Sequence, residues 1–201
     1  MSVRPEASDH DWPIPPAGGW TADDLDRLPR LPPHTELIDG SLVFVSPQTV
    51  FHTRALSFFE RHLEEAAPSH LEVLREFSID IDPQNRPEPD VVVVLGEAIA
   101  GPGQTRLPAE AVRLALEVVS PESRSRDRET KPVKYARAGI RHYWRVENDE
   151  GRAVVYVFEL EPVSRTYTPT GMFHDRLKTS VPYPLDLDLT EITARRAAPE
   201  A

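Results

Sequence analysis

A chain of 201 residues, 39% of them apolar, suits one domain with a sizeable core, and its 21 prolines impose many fixed breaks. The absence of cysteine excludes disulfides, thiolate zinc sites and cysteine nucleophiles, and no stretch approaches the ~20 apolar residues of a membrane span. The net charge of −10 disfavours a nucleic-acid partner unless the charge is unevenly distributed along the chain.

Residues 1–19, MSVRPEASDHDWPIPPAGG, have no apolar core of the signal-peptide kind and no apolar period, so a flexible arm on a cytoplasmic protein without a membrane partner is expected. Thr21 is expected to cap a short helix from Ala22 to Leu28, with Asp23 and Asp24 favourable in its first turn and Pro29, Pro32 and Pro33 ending it. Glu36 to Val45 alternates around Asp39-Gly40, a strong hairpin signal. Thr49 to Ala66 places Phe51, Ala55, Leu56, Phe59 and Leu63 near helical spacing, and His52 opens this helix either as a local hydrogen-bonding residue or as part of a site. Leu71 to Asp82 is expected to be one strand, with Val73, Phe77, Ile79 and Ile81 on one side and Glu72, Glu76, Ser78 and Asp80 on the other. Glu76 reaches the same centre as Asp90 only if their strands are neighbours. Val91 to Leu95 is an apolar strand entered by Pro89-Asp90, and Gly96 to Pro108 is expected to be loop.

The stretch from Leu114 to Val146 carries most of the chemistry. Its opening apolar run is interrupted by Glu117, and a carboxylate in a buried strand is costly unless it is paired, hydrogen-bonded or on a metal. Asp90 lies 27 residues before Glu117 and Lys131 lies 14 after it. An Asp, a Glu and a Lys are the parts of a magnesium phosphodiesterase site: two carboxylates suit a hard cation, and an ammonium steadies an attacking water. Between Arg113 and Val146 nine Lys or Arg stand against four acids, so this segment is basic in an acidic chain. Such a footprint suits phosphates, and a solvated, salt-bridged helix face has the same composition. Pro132 is tolerated in a first helical turn, so Thr130 is expected as the cap, with Lys131 at the helix entrance. Lys131 then shares its i,i+4 row with Tyr135, whereas Lys134 aligns with Ala138 on the arginine-bearing side. Gly139 ends the helix, strands follow at Arg141–Val146 and Ala153–Leu160 with another within Phe173–Val181, and a frayed tail is expected after Thr193. Motifs of the GxxxxGK[ST], GxSxG and HExxH kinds are absent.

The strings PDVVVV, LEVVSPESRSRD and KPVKYARAGIRHYWRVE resemble the Uma-two family of endonucleases, a branch of the PD-(D/E)XK restriction-endonuclease-like superfamily. Thr35 to Gly40 resembles that family's N-terminal hairpin and Pro184 to Leu189 its closing segment, so the likeness spans about residues 20–192, with an arm at 1–19 and a tail at 193–201. It implies an α/β fold with a restriction-endonuclease-like core, a mixed central β-sheet flanked by helices. It also implies that Asp90 is the motif Asp, Glu117 the motif acid, and Lys131 the lysine that Val119 does not supply. By the same resemblance Mg²⁺ or Mn²⁺ would sit on Asp90, Glu117 and the backbone carbonyl of Val118, with Glu36, His52, Asp127 and Tyr135, beside Glu76, as accessory residues. DNA is the implied partner, met by Arg124, Arg126, Arg128 and Lys134, and homodimerisation is left open. The expected function is metal-dependent DNA cleavage; the alternative is a catalytically weak nucleic-acid-binding or protein-interaction module on the same fold.

Overall fold

The structure is a computed structural model that describes residues 14–194. Most of the expected arm and tail therefore lies outside the described residues. Thr21 begins a single turn of helix, α1 (Ala22–Leu25), with its amide and hydroxyl donating to the Asp24 carboxylate at 2.9 and 2.7 Å. The helix ends three residues before the expected Leu28. The amides of Arg27 and Leu28 both fold back onto the Asp24 carbonyl, closing the turn ahead of Pro29. β1 (Glu36–Ile38) and β2 (Ser41–Val43) form the expected hairpin. Its turn residues Asp39 and Gly40 have φ of 49° and 70°, the pair of left-handed conformations that a two-residue type I′ turn needs. α2 (Val50–Ala66) follows, capped by the Thr49 hydroxyl, which accepts from the His52 amide at 3.2 Å.

Leu71–Asp82 is two strands rather than one. β3 (Leu71–Arg75) ends where Glu76 turns to φ 49° and its amide donates to the Asp90 carbonyl at 3.0 Å. Beyond this kink β4 (Ser78–Asp80) leaves the central sheet. β5 (Val91–Leu95) pairs with β3, while β6 (Arg106–Pro108), inside the stretch expected to be loop, pairs in parallel with β4. The period-2 pattern continues through the kink, so the sequence carries no mark of the change of sheet. β7 (Val112–Val118), α3 (Lys131–Ala138) and β8 (His142–Asp149) form a parallel crossover, and β9 (Arg152–Glu161) and β10 (Thr166–Phe173) continue as a meander. β10 was not foreseen: it is an edge strand containing Pro169 and a register shift at Gly171, features an edge tolerates and an interior strand does not. β11 (Arg176–Thr179) and β12 (Leu185–Asp188) make a separate antiparallel pair.

The central sheet has the order β10-β9-β8-β7-β5-β3, and β7/β8 is its one parallel pair. This is the expected mixed sheet flanked by helices. Leu56, Phe59 and Leu63 of α2 pack on Val91, Val93, Leu114, Leu116 and Trp144, whereas Tyr135 of α3 packs with Val92, Ala115 and Tyr143 on the other face. Alternation along β7 therefore decides where Glu117 goes. Leu114, Leu116 and Val118 belong to the α2 side, so Glu117, like Ala115, faces α3. No helix among the described residues is long and apolar enough to cross a membrane.

Thr130 does not cap α3. Helical backbone already runs from Arg124, widens into a π-turn at Arg126–Thr130 and continues into α3, with Thr130 at φ −83° and ψ −56°. Pro132 explains the widening. It has no N–H to donate, and in a regular helix its ring presses on the carbonyl four residues back. A turn enlarged by one residue, in which the Lys131 amide reaches the Arg126 carbonyl, accommodates it. Lys131 consequently lies within a continuous helix rather than at its entrance. Gly139 ends α3 at φ 87°, as expected.

Candidate active site

Five elements converge between β7 and α3. β1 brings Glu36, the first turn of α2 brings His52, the entrance of β5 brings Asp90, the end of β7 brings Glu117, and the continuous helix brings Asp127, Lys131 and Tyr135. Lys131 is the hub: its Nζ lies 2.9 Å from Glu36 Oε1, 3.0 Å from Glu117 Oε1 and 3.5 Å from Asp127 Oδ1. All four side chains are at most 5% exposed. The Tyr135 hydroxyl donates to the same Glu117 oxygen at 2.6 Å, so the expected pairing of Lys131 and Tyr135 on one row of the helix is realised as two donors on one carboxylate. The Glu88 amide donates to Glu36 Oε1 at 2.8 Å.

Asp90 is held on both oxygens. Oδ2 accepts from the Val118 amide at 2.6 Å, and Oδ1 lies 3.1 Å from His52 Nε2. The first contact also orients Val118. Successive strand residues direct their backbone groups to opposite sides, and the Val119 amide bonds Val146 of β8, so the backbone of Val118 faces the β5 side, where Asp90 stands. A cavity of about 50 Å³ is lined by these acids together with Ser46, Gln48, Ser123 and Arg126. That is room for a small ion with a few waters.

Four carboxylates, Glu36, Asp90, Glu117 and Asp127, share one ammonium and one imidazole. Burial pushes Glu117 well above the ordinary carboxylate range, with Asp127, Asp90 and Glu36 adding to the push and Lys131 opposing it. Burial likewise raises Asp127. Burial pulls Lys131 down, yet Glu117, Glu36, Asp127 and Asp90 together outweigh it and hold Lys131 well above the usual lysine value. The cluster therefore sets one charged ammonium against four carboxyl groups. Asp127 Oδ1 is buried without a hydrogen-bond partner, 3.5 Å from Lys131. Hard oxygen donors and an orphaned carboxylate oxygen fit a hard divalent cation. Among the described residues no group of three or more His, Asp or Glu side chains is arranged to hold a metal ion on its own.

The remaining expected residues are dispersed. Glu76 holds Arg75 at 3.2 Å and lines an adjoining groove with Glu36, Glu88 and Asp90, outside the central cavity. Arg124, Arg126 and Arg128 do not share a face. Arg126 lines the cavity and lies 3.6 Å from Glu122, Arg128 is turned to Glu147, and Arg124 is exposed. Their segment is helical rather than a loop, and residues two apart on a helix point in opposing directions. Lys134 reaches Asp39 in the hairpin turn at 2.5 Å. Sequence reasoning missed Glu88, which accepts from His34 Nδ1 at 2.5 Å and is raised chiefly by burial. Its position between Pro87 and Pro89, two before Asp90, was the available signal.

Residues 22–192 match the family described as "Uma2: Putative restriction endonuclease". No curated protein matches the chain. Among solved structures the fold resembles a "putative nuclease belonging to DUF820 from Anabaena variabilis ATCC 29413", with a TM-score of 0.58 and 17% identity over 86% of this chain and 97% of that one.

Proposed function

From the premise that this chain belongs to the Uma2 family, we propose that it is a metal-dependent DNA endonuclease whose centre is Asp90, Glu117 and Lys131. The observation that carries this reading is the burial of Lys131 among Glu36, Glu117 and Asp127, beside Asp90, in one small polar cavity. Burying four carboxyl groups around a single ammonium is expensive for a purely structural core. Asp90, Glu117 and the carbonyl of Val118 would hold Mg²⁺ or Mn²⁺. The ion would supply positive charge for the developing phosphorane and acidity for an attacking water.

The chain's own residues have separable tasks. His52 and the Val118 amide fix the Asp90 carboxylate, and Tyr135 fixes Glu117, so both acids are pre-oriented. The Lys131 ammonium, held charged by the carboxyls around it, orients a water and meets the charge that grows on the phosphate oxygens. Arg126, which lines the cavity, would meet a phosphate of the DNA backbone.

Calorimetric titration of the chain with Mg²⁺ and Mn²⁺, paired with plasmid cleavage, tests the proposal. Metal binding and cleavage that both fall sharply in Asp90→Asn and Glu117→Gln are expected. Binding unchanged in both variants would overturn the assignment of the site, and duplex binding without cleavage by the wild type would leave a DNA-binding module.

A further inference from the structure

A second concavity of about 410 Å³ lies on the other flank of the same helix, between α3 and the β8-β9-β10 end of the sheet. Its chemistry differs from that of the acid cavity. Arg128, Arg137, Arg145 and Arg165 line it, with Phe158 and Tyr167 among its aromatic groups. The carboxylates near these four arginines are Glu129, on the wall, and Glu147, which Arg128 and Arg145 share. Positive charge is thus left over at a face made of rings.

The rings are ordered. Tyr143 stacks on Phe158 and Tyr167 with centroids 5.7 and 5.6 Å apart, and the Arg145 guanidinium lies 4.6 Å from the Tyr156 ring and 5.4 Å from that of Phe158. Phe158 and Tyr167 are only partly buried, and both line the groove. The groove also adjoins the proposed catalytic centre. Arg145 is the register partner of Glu117 on the neighbouring parallel strand, a spacing of about 4.8 Å between strands. The Tyr143 hydroxyl donates to the backbone carbonyl of Asp127 at 2.5 Å, linking the groove's buried aromatic layer to the acid cavity.

We infer that this groove binds an unpaired nucleotide of the DNA strand whose scissile phosphate meets the acid cavity, its base on the Phe158 and Tyr167 rings and its phosphate on the arginines. The inference rests on the nuclease reading for its choice of strand. Aromatic faces with basic groups alongside are the usual means of holding single strands without regard to sequence. Pockets of ~300–1,000 Å³ take groups the size of one small organic ligand, so a duplex does not fit and one splayed nucleotide does. Arg126, in the acid cavity, and Arg137 and Arg165, in the groove, then act on the same strand from either side of the helix.

The test is the binding of a fluorescein-labelled 12-mer of oligo-dT to the full chain, followed by anisotropy at two salt concentrations, with thermal melting as the check on folding. The Arg137→Glu/Arg165→Glu double variant loses the Arg165 bond to the Arg137 carbonyl at the end of α3 and should melt somewhat lower, but while still folded at the assay temperature it should bind oligo-dT at least tenfold more weakly than wild type, with a shallower salt dependence. Phe158→Leu, which keeps most of the packing volume, should weaken binding threefold or more. Oligo-dT affinity that is indifferent to all three substitutions overturns the inference. So does a groove that takes free dTMP but not oligo-dT, or a self-association lost in the double variant while oligo-dT binding persists. Plasmid cleavage by the wild type is scored separately. Oligo-dT binding that depends on Arg137 and Arg165 sustains the groove even if the plasmid stays intact, and its absence overturns the groove even if the plasmid is cut.

Discussion

Lys131 Nζ stands 3.0 Å from Glu117 Oε1, bridging the helix and the strand of a single crossover. This contact accounts for Val119. Residue 119 lies two beyond Glu117, so an extended chain carries both on one face, and a lysine there would serve the same carboxylate. The ammonium reaches that carboxylate from α3 instead, through a helix that its own proline has widened.

Glu117 has its carboxyl raised well above the ordinary 4.5, first by burial and then by Asp127, Asp90 and Glu36. A carboxyl with a higher value folded than unfolded lends its full stability below the unfolded value and loses it as pH rises through the folded one. Glu117→Gln removes that loss. In the presence of a chelator the variant should match or trail wild type in acid and exceed it by about 1–3 kcal/mol near neutrality. Urea melts across pH measure the difference, and a variant that is less stable at neutral pH would show the carboxylate to be net stabilising.

Lys131→Ala is expected to act in the opposite direction. It strips the one ammonium from Glu36, Glu117 and Asp127 and should cost about 3–5 kcal/mol without metal. Millimolar Mg²⁺ should restore part of that loss while single-turnover cleavage remains absent. Cleavage at wild-type rate by the refolded, metal-loaded variant would remove Lys131 from the chemistry.

Arg126 and Arg128 are expected to part company on duplex DNA. Arg126 faces the cavity, so Arg126→Ala should weaken binding at every sequence and reduce the salt slope by about one. Arg128 is already committed to Glu147, and its alanine variant should change the duplex slope less. Equal slopes for the two variants would contradict this division.

Gly40→Ala probes the hairpin that carries Glu36. At φ 70° an added Cβ is strained, and it would lie 3.3 Å from the Gly19 Cα. A loss of about 1–2 kcal/mol is expected. If the hairpin sets Glu36 against Lys131, metal affinity should fall as well; affinity that is unchanged in a destabilised variant would separate the turn from the site.

What the sequence made legible rests on local signals. The Asp39-Gly40 turn, the Thr21 cap, the Gly139 terminus and the apolar run ahead of Glu117 each act within a few residues, and each lies where it was expected. The kink at Glu76 depends on a bond to Asp90 from a different strand, and β10 gains its place from its pairing with β9 and the seating of Tyr167 against Tyr143 and the Ile140 carbonyl, so neither has a signature of its own. In the site, the spacing of Asp90, Glu117 and Lys131 was visible as a motif. The position of Glu36 on Lys131, the role of Glu88 in holding it and the outward turn of Glu76 are products of long-range pairing. The cap assigned to Thr130 was inferred from proline alone, without the alternative that a helix can widen around one.

The parallel pairing of β7 with β8 has a consequence for the order of assembly. Glu117 and Lys131 are 14 residues apart, inside the one crossover that this pairing closes, whereas the Asp39–Lys134 contact that seats the hairpin spans 95 residues. Loop-closure entropy grows with the length enclosed, and non-local contacts form late for that reason. The chain is therefore expected to join its acid and its ammonium early in folding, and to bring Glu36 to them last. Pulse-labelled hydrogen exchange should find the amides of β7 and α3 protected before those of β1 and β2, leaving a nascent protein with its ion pair formed and its cavity still open on one side.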